Sequence, residues 1–222
     1  MLLVVDTSTA QMGLALYDGT QVIVETLWNS RHFHTVELAP AVSEMLARTG
    51  SKVGSIQALG VALGPGSFTS LRVGLAFVKG LSLSRNLPIV GIPTLDILAA
   101  AQELYEHQLA AVLQAGRGRL ALGWYESTDN GWQAKGSVSV TTIDELARRI
   151  KKPTVVCGEL TADERRRLAR KRVNVRLASP IHCVRRPAVL ADLAWKRWQD
   201  GRTDEAASLA PIYLHVAGSV PV

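Results

Sequence analysis

The chain has 222 residues, 47% of them hydrophobic, and a formal net charge of +6. Disordered and fibrous classes are excluded, and the length allows one large domain or two small ones. No apolar run reaches the roughly 18 residues a membrane-spanning helix needs, since Arg72 and Lys79 interrupt the best one, and two cysteines (Cys157, Cys183) cannot frame a disulfide scaffold.

"MLLVVDTS" has no basic region and meets an aspartate at once. It reads as a first strand, not a signal peptide, and the whole fits a cytoplasmic protein. Residues 2–8, 12–18 and 21–28 are short apolar or alternating runs separated by turn residues, a meander of three strands. From 35 to 48, Leu38, Val42, Met45 and Leu46 share one helical face and Glu37, Glu44 and Arg48 another; Pro40 should disturb the early turns. A buried-type strand is expected over 56–64, a helix from Ser67, a strand over 87–92, and a helix over 94–104 capped by Thr94.

The order is βββαβαβα, and the second half repeats it more weakly. Strands are expected over 109–115, 119–126, 135–141, 154–157 and 173–177. Helices are expected over 142–150, with Thr142 and Glu145 as a capping box, and over 161–171 and 188–199. The reading is a duplicated α/β fold, with an N-terminal half over 1–107 and a shorter C-terminal half over 108–222. Charge is divided unevenly. Residues 1–110 hold six basic and eight acidic side chains, and residues 111–222 hold nineteen and eleven. A basic second half suits an anionic partner or an ordinary solvated surface.

"GVALGPGSFTSLRVGLAFVKGLSL" (60–83) is the most unusual stretch. A strand, a glycine turn and a helix start together offer free N–H groups to an anion. The turn has no Gly-Lys-Ser/Thr ending, Thr69 breaks G-x-G-x-x-G, and Pro65 removes one N–H. Gly64, Pro65, Gly66 and Ser67 therefore read better as a structural turn, with Ser67 capping the helix. Asp6, with the hydroxyls after it, reads as an ordinary hairpin turn or as the phosphate and metal contact of an actin-like ATPase. His32 and His34 alternate, and no H-E-x-x-H or G-x-S-x-G is present. No catalytic, metal-binding or cofactor-binding residue is assigned. Arg165, Arg166 and Arg167, in the basic helix 162–172, are the best nucleic-acid-contact residues, against a solvated amphipathic reading.

"DTSTAQMGLAL", "HTVELAPAVSEML", "GPGSFTSLRVGLAFVKGL" and "GIPTLDIL" resemble the bacterial TsaB (YeaZ) family, densely to about residue 100 and more thinly in "AVLQAGRGRLALGWYE" and "PIYL". The resemblance implies an actin-like (ASKHA) fold of two ribonuclease-H-like halves. It also implies a role in making threonylcarbamoyladenosine beside the tRNA anticodon. There TsaC makes threonylcarbamoyl-AMP and TsaD transfers the group. TsaB is the non-catalytic partner of TsaD, TsaE is an ATPase that joins them, and members also form homodimers. The catalytic relative holds its metal by H-x-x-x-H on the first helix, where this chain has His34 and Leu38. Two departures stand out: Ser70 replaces a usual glycine, and Gln114-Ala115-Gly116 replaces "DAR".

On the helix after the glycine turn, Arg72 and Lys79 share a stripe about 20° apart, with apolar residues over most of the remaining surface. Such a helix should be buried on two sides, by its own sheet and by either a partner or more of its own chain. Phe77 and Leu81, opposite the stripe, should face the sheet. The partner interface is expected to use Leu75, Ala76 and Leu83, with Arg72 and Lys79 set against Glu37 and Glu44 of the earlier helix in a two-fold pairing. The rival readings are an actin-like ATPase or small-molecule kinase using Asp6, and a glycoprotease-type metallopeptidase.

Overall fold

The computed structural model describes residues 1–30, 33–170 and 173–214. They fall into two compact units, one of Met1–Ile97 with Arg185–Ile212 and one built on Leu98–Val184.

In the first unit, β1 (Leu2–Asp6), β2 (Gln11–Tyr17) and β3 (Val22–Asn29) form the antiparallel meander. After α1 (His34–Arg48) come β4 (Ala58–Ala62), α2 (Phe68–Arg85), β5 (Ile89–Ile92) and α3 (Thr94–Ala100). The sheet order is β3-β2-β1-β4-β5, with β1, β4 and β5 parallel. Side-chain alternation decides what each face meets. Leu3 and Val5 of β1 join Leu14, Leu16, Leu59 and Val61 in a core under α1 and α2. Leu2 and Val4 point the other way and pack with Leu190, Ala191 and Ala194. Those three belong to α6 (Pro187–Gln199), the last helix. Sequence order set α6 in the second half, yet its apolar stripe covers the open face of the first sheet.

The second unit holds β6 (Gln108–Gln114), β7 (Leu120–Thr128), β8 (Gly131–Ala134), β9 (Ser139–Thr141), α4 (Ile143–Arg149), β10 (Thr154–Gly158), α5 (Ala162–Ala169) and β11 (Val175–Leu177). Its sheet order, β8-β7-β6-β10-β11, repeats that of the first sheet, and β9 also pairs with β7. The duplication is therefore one of topology as well as of element order.

Local differences from the sequence reading have physical causes. Of the strand expected over 135–141 only Ser139–Thr141 forms, after Gly136 at φ +75°, and β8 over Gly131–Ala134 was not expected. Thr142 does cap α4, accepting from the Glu145 N–H at 3.3 Å, but the Glu145 carboxylate accepts from Thr141 at 3.2 Å instead of closing a box. A reciprocal capping box stands on α5, between Thr161 and Glu164. Pro40 sits inside α1, which continues through it.

Candidate functional site

The first candidate is the corner where β1 ends. Asp6 is buried, and both its carboxylate oxygens are engaged. Oδ1 accepts from the Ser8 N–H at 2.8 Å and from the Ser8 hydroxyl. Oδ2 accepts from Arg185 Nε at 2.9 Å, and Arg185 Nη2 also donates to Thr9 Oγ1 at 2.7 Å and to the Gln11 carbonyl at 3.0 Å. A guanidinium thus fills the space where a metal-holding aspartate would need water and a cation. These residues do not fit a metal–nucleotide group. A buried carboxylate matched by a buried arginine is costly to break from one side only. Sequence reasoning missed Arg185, because nothing local marks a partner for a residue so distant in sequence.

The glycine turn lies against the same corner. The Ser67 N–H donates to the Ser8 carbonyl at 2.7 Å, and the Gly64 N–H donates to Thr94 Oγ1 at 2.9 Å. Thr94 N–H returns a bond to the Gly64 carbonyl at 2.7 Å, so Thr94 braces the turn and does not act as the expected cap. A Cβ on Gly66 would stand 2.1 Å from the Ser8 carbonyl oxygen. The glycine is there so that two backbones can touch. Ser67 caps α2 as expected, accepting from the Ser70 N–H, and the Ser70 hydroxyl donates to Ser67 Oγ at 3.0 Å. His34 is buried with Nε2 2.9 Å from the Thr9 carbonyl oxygen, which ties the start of α1 to the same hairpin. His32 lies outside the described residues.

The second candidate is the outer face of α1 and α2. Leu71, Gly74, Leu75, Val78 and Ser82 of α2 are buried, and Leu71, Leu75 and Val78 form the inward row at helical spacing. Leu75 is therefore a core residue, which corrects its assignment to a partner interface. Phe77 and Leu81 are half-buried beside α1, not beneath the sheet. Arg72, Ala76, Lys79 and Leu83 follow one another at i, i+4, i+7 and i+11 and make up the outward row. Arg72 and Ala76 are exposed, Lys79 is half-buried, and Leu83 is 76% exposed.

Between the helices runs an open groove of about 450 Å³, lined by Thr35, Ala39, Phe68, Arg72, Ala76 and Phe77 among others. Phe77 separates it from a second groove of about 420 Å³ that reaches Leu81 and Val53. Phe68 is 53% exposed at its rim, with the Arg72 guanidinium 3.8 Å from the ring centre. Glu37 and Glu44 do not border this groove. They line a separate hollow of about 700 Å³ between α1 and β3, where Glu37 accepts from Trp28 Nε1 at 2.9 Å and Glu44 pairs with Arg48 at 2.6 Å. Within one chain α1 turns these acids away from α2, so a meeting with Arg72 and Lys79 would take the two-fold pairing of two copies.

In the second unit, Arg165 is turned inward, with Nη2 donating to the Ala178 carbonyl at 2.7 Å. Arg166 pairs with Asp163 at 3.4 Å, and Arg167 pairs with Asp144. Gln114 donates to Glu164 Oε2 at 2.8 Å and so supports the capping-box carboxylate of α5. An aspartate at 114 would set two carboxylates together there.

The chain matches the family model described as "TsaD: tRNA N6-adenosine threonylcarbamoyltransferase" over residues 28–180, more than half its length. It is 26% identical over 165 residues to the tRNA threonylcarbamoyladenosine biosynthesis protein TsaB of Buchnera aphidicola subsp. Schizaphis graminum, covering 72% of this chain and 78% of that protein. The chain belongs to this family, on its TsaB (YeaZ) branch. The TsaB of Escherichia coli is 31% identical over 149 residues, covering 63% of this chain and 61% of its own length. Among solved structures, YeaZ from Pseudomonas aeruginosa superposes with a TM-score of 0.79 at 25% identity, covering 96% of this chain and 99% of that one. A ROK hexokinase from Thermus thermophilus shares the fold alone, with a TM-score of 0.51 at 11% identity over 90% of this chain and 99% of its own.

The fold is thus α/β and actin-like, built of two ribonuclease-H-like halves, as the resemblance to TsaB implied. Among the described residues, no helix is long and apolar enough to cross a membrane.

Proposed function

We propose that the chain is a non-catalytic, cytoplasmic subunit of the machinery that makes threonylcarbamoyladenosine in tRNA. In this reading it pairs with TsaD, is joined by TsaE, forms a homodimer when alone, needs no cofactor and engages tRNA within the complex. The observation that carries the non-catalytic part is the closed corner, where Arg185 and Ser8 take up both oxygens of Asp6. Family membership supplies the pathway. The outward row of α2 and the apolar groove beside α1 support a docking surface, which comprises Arg72, Ala76, Lys79 and Leu83 with Phe68 at its rim. The groove is apolar at its floor and cationic at one edge, the pattern of a protein interface with an acidic rim opposite.

The test has two arms. In a strain depleted of its own TsaB, supply of this chain restores threonylcarbamoyladenosine to bulk tRNA. The purified chain alone hydrolyses no ATP and cleaves no glycoprotein. Metal-dependent ATP turnover abolished by Asp6→Ala would replace this reading with that of an actin-like ATPase.

A further inference from the structure

We propose that the second unit carries a surface for the phosphate backbone of RNA at the carboxyl ends of α4 and α5, formed by Arg148, Lys151, Lys152 and Arg170. The choice of RNA as the occupant rests on the tRNA-modification reading; the placement of the charges does not.

Topology brings these four residues together. Helix α4 leads into β10 and α5 into β11. The two strands are parallel, with Thr154 opposite Val175, so both helices end at one edge of the sheet. The loops at that edge are tied: Asn174 Nδ2 donates to the Lys151 carbonyl at 3.1 Å, and the Thr154 N–H donates to the Asn174 carbonyl at 2.8 Å. Within the two helices the acids lie toward the other end, with Asp144 and Glu145 in the first turn of α4 and Asp163 and Glu164 in the first turn of α5. Glu106, two residues before Gln108, the partner of Thr154, stands at the same end of the sheet as the lysines.

Pairing separates this group from the arginines that the sequence singled out. Arg165, Arg166 and Arg167 each have a partner within the chain. Arg148, Lys151, Lys152 and Arg170 are all exposed, and among the described residues none is in an ion pair. Cations at a helix carboxyl end favour the helix dipole, and that accounts for Arg148 and Arg170. It does not account for Lys151 and Lys152, which stand past the end of α4. The four cations would grip phosphates, binding without sequence preference; Tyr105, 39% exposed and three residues before Gln108, the partner of Thr154, also stands at this end of the sheet. Val173, 90% exposed, lies beside Asn174, and Leu104, 52% exposed, precedes β6 at the same end; binding to vesicles is therefore an arm of the test.

The test is the salt dependence of binding to a fluorescein-labelled, unmodified tRNA transcript, measured by anisotropy between 50 and 200 mM KCl in ~neutral buffer. It is run on the whole chain alone and, where the pair is isolated, on its complex with TsaD. Replacing Arg148, Lys151, Lys152 and Arg170 by Ala should lower the log–log salt slope by about 3 to 4 and weaken binding at the lowest salt by at least about tenfold. Lys151→Gln with Lys152→Gln, a loop pair that leaves both helix ends alone, should lower the slope by about 1 to 2. An equal loss of charge elsewhere, Arg85, Lys135, Lys196 and Arg202 to Ala, should leave the slope within error.

Equal losses from both quadruple variants, or none from either, would overturn the assignment. So would patch-dependent binding to phosphatidylglycerol vesicles without tRNA binding. Failure of the chain to restore threonylcarbamoyladenosine in cells would count against the pathway and leave the titration standing, so the two failures are distinguishable.

Discussion

Arg185 and Asp6 stand 179 positions apart in sequence and meet in one buried ion pair, Nε to Oδ2 at 2.9 Å, with side chains 1% and 3% exposed. The pair fastens the end of β1 to the segment that leads into α6. Removing either partner leaves the other charged and buried. Asp6→Leu or Arg185→Met alone should lower the free energy of unfolding by about 3–5 kcal/mol. The double replacement should lie closer to the wild type than either single one, as urea unfolding would show. Additive losses would mean that the two side chains act independently.

Thr7 and Gly74 form a second close approach at the same corner. A Cβ on Gly74 would lie 2.3 Å from Thr7 Oγ1, which donates to the Ser70 carbonyl at 2.7 Å. Gly74→Ala should cost about 1–3 kcal/mol by overpacking, despite the better helix propensity of alanine. Thr7→Ala introduced with it should recover part of the loss. A stabilised Gly74→Ala protein would show that α2 can move away freely.

Glu25 of β3 caps a helix from outside it. Arg186 at the start of α6 has no side-chain cap, and Glu25 Oε1 accepts from the Ala188 N–H at 2.9 Å. Burial raises the Glu25 pKa, but the Arg186 guanidinium and the Ala188 N–H outweigh it and hold the carboxyl below its ordinary 4.5. A depressed pKa stabilises the fold above the unfolded value, and that share is lost as pH falls through the folded value. Glu25→Gln should cost about 1 kcal/mol at neutral pH. Thermal melts of the two proteins should converge as the pH drops below the ordinary carboxylate range. A gap independent of pH would show that the charge is not what matters.

Local pattern was enough for most elements. The meander, the Ser67 cap and the amphipathic stripe of α1 are written in neighbouring residues, and the duplicated order gave the two-sheet topology. What local pattern could not supply is which face of a helix another segment covers. The near-encircling apolar surface of α2 placed Leu75 outward and Phe77 against the sheet, whereas Leu75 is buried in the core and Phe77 is half-buried beside α1. The return of α6 to the first sheet and the Asp6–Arg185 pair depend on contacts between distant segments, which leave no periodic trace. The basic helix was visible as composition, but which arginines are already paired depends on Asp144 and Ala178, supplied by other elements.

We propose that the outer face of α1 and α2 docks TsaD. Ala76 is exposed in the groove, so a glutamate there is hydrated in the free chain, while in the complex it must be desolvated and takes up Arg72 and Lys79, at i−4 and i+3, in competition with acids of the partner. The direct measurement is light scattering after size exclusion on mixtures of the chain with TsaD of the same organism, comparing wild type with Ala76→Glu. Docking through this face gives a wild-type heterodimer, a heterodimer weakened or lost in the variant, and a cooperative melt unchanged from wild type. Normal pairing by Ala76→Glu, or no pairing by the wild type, would contradict it.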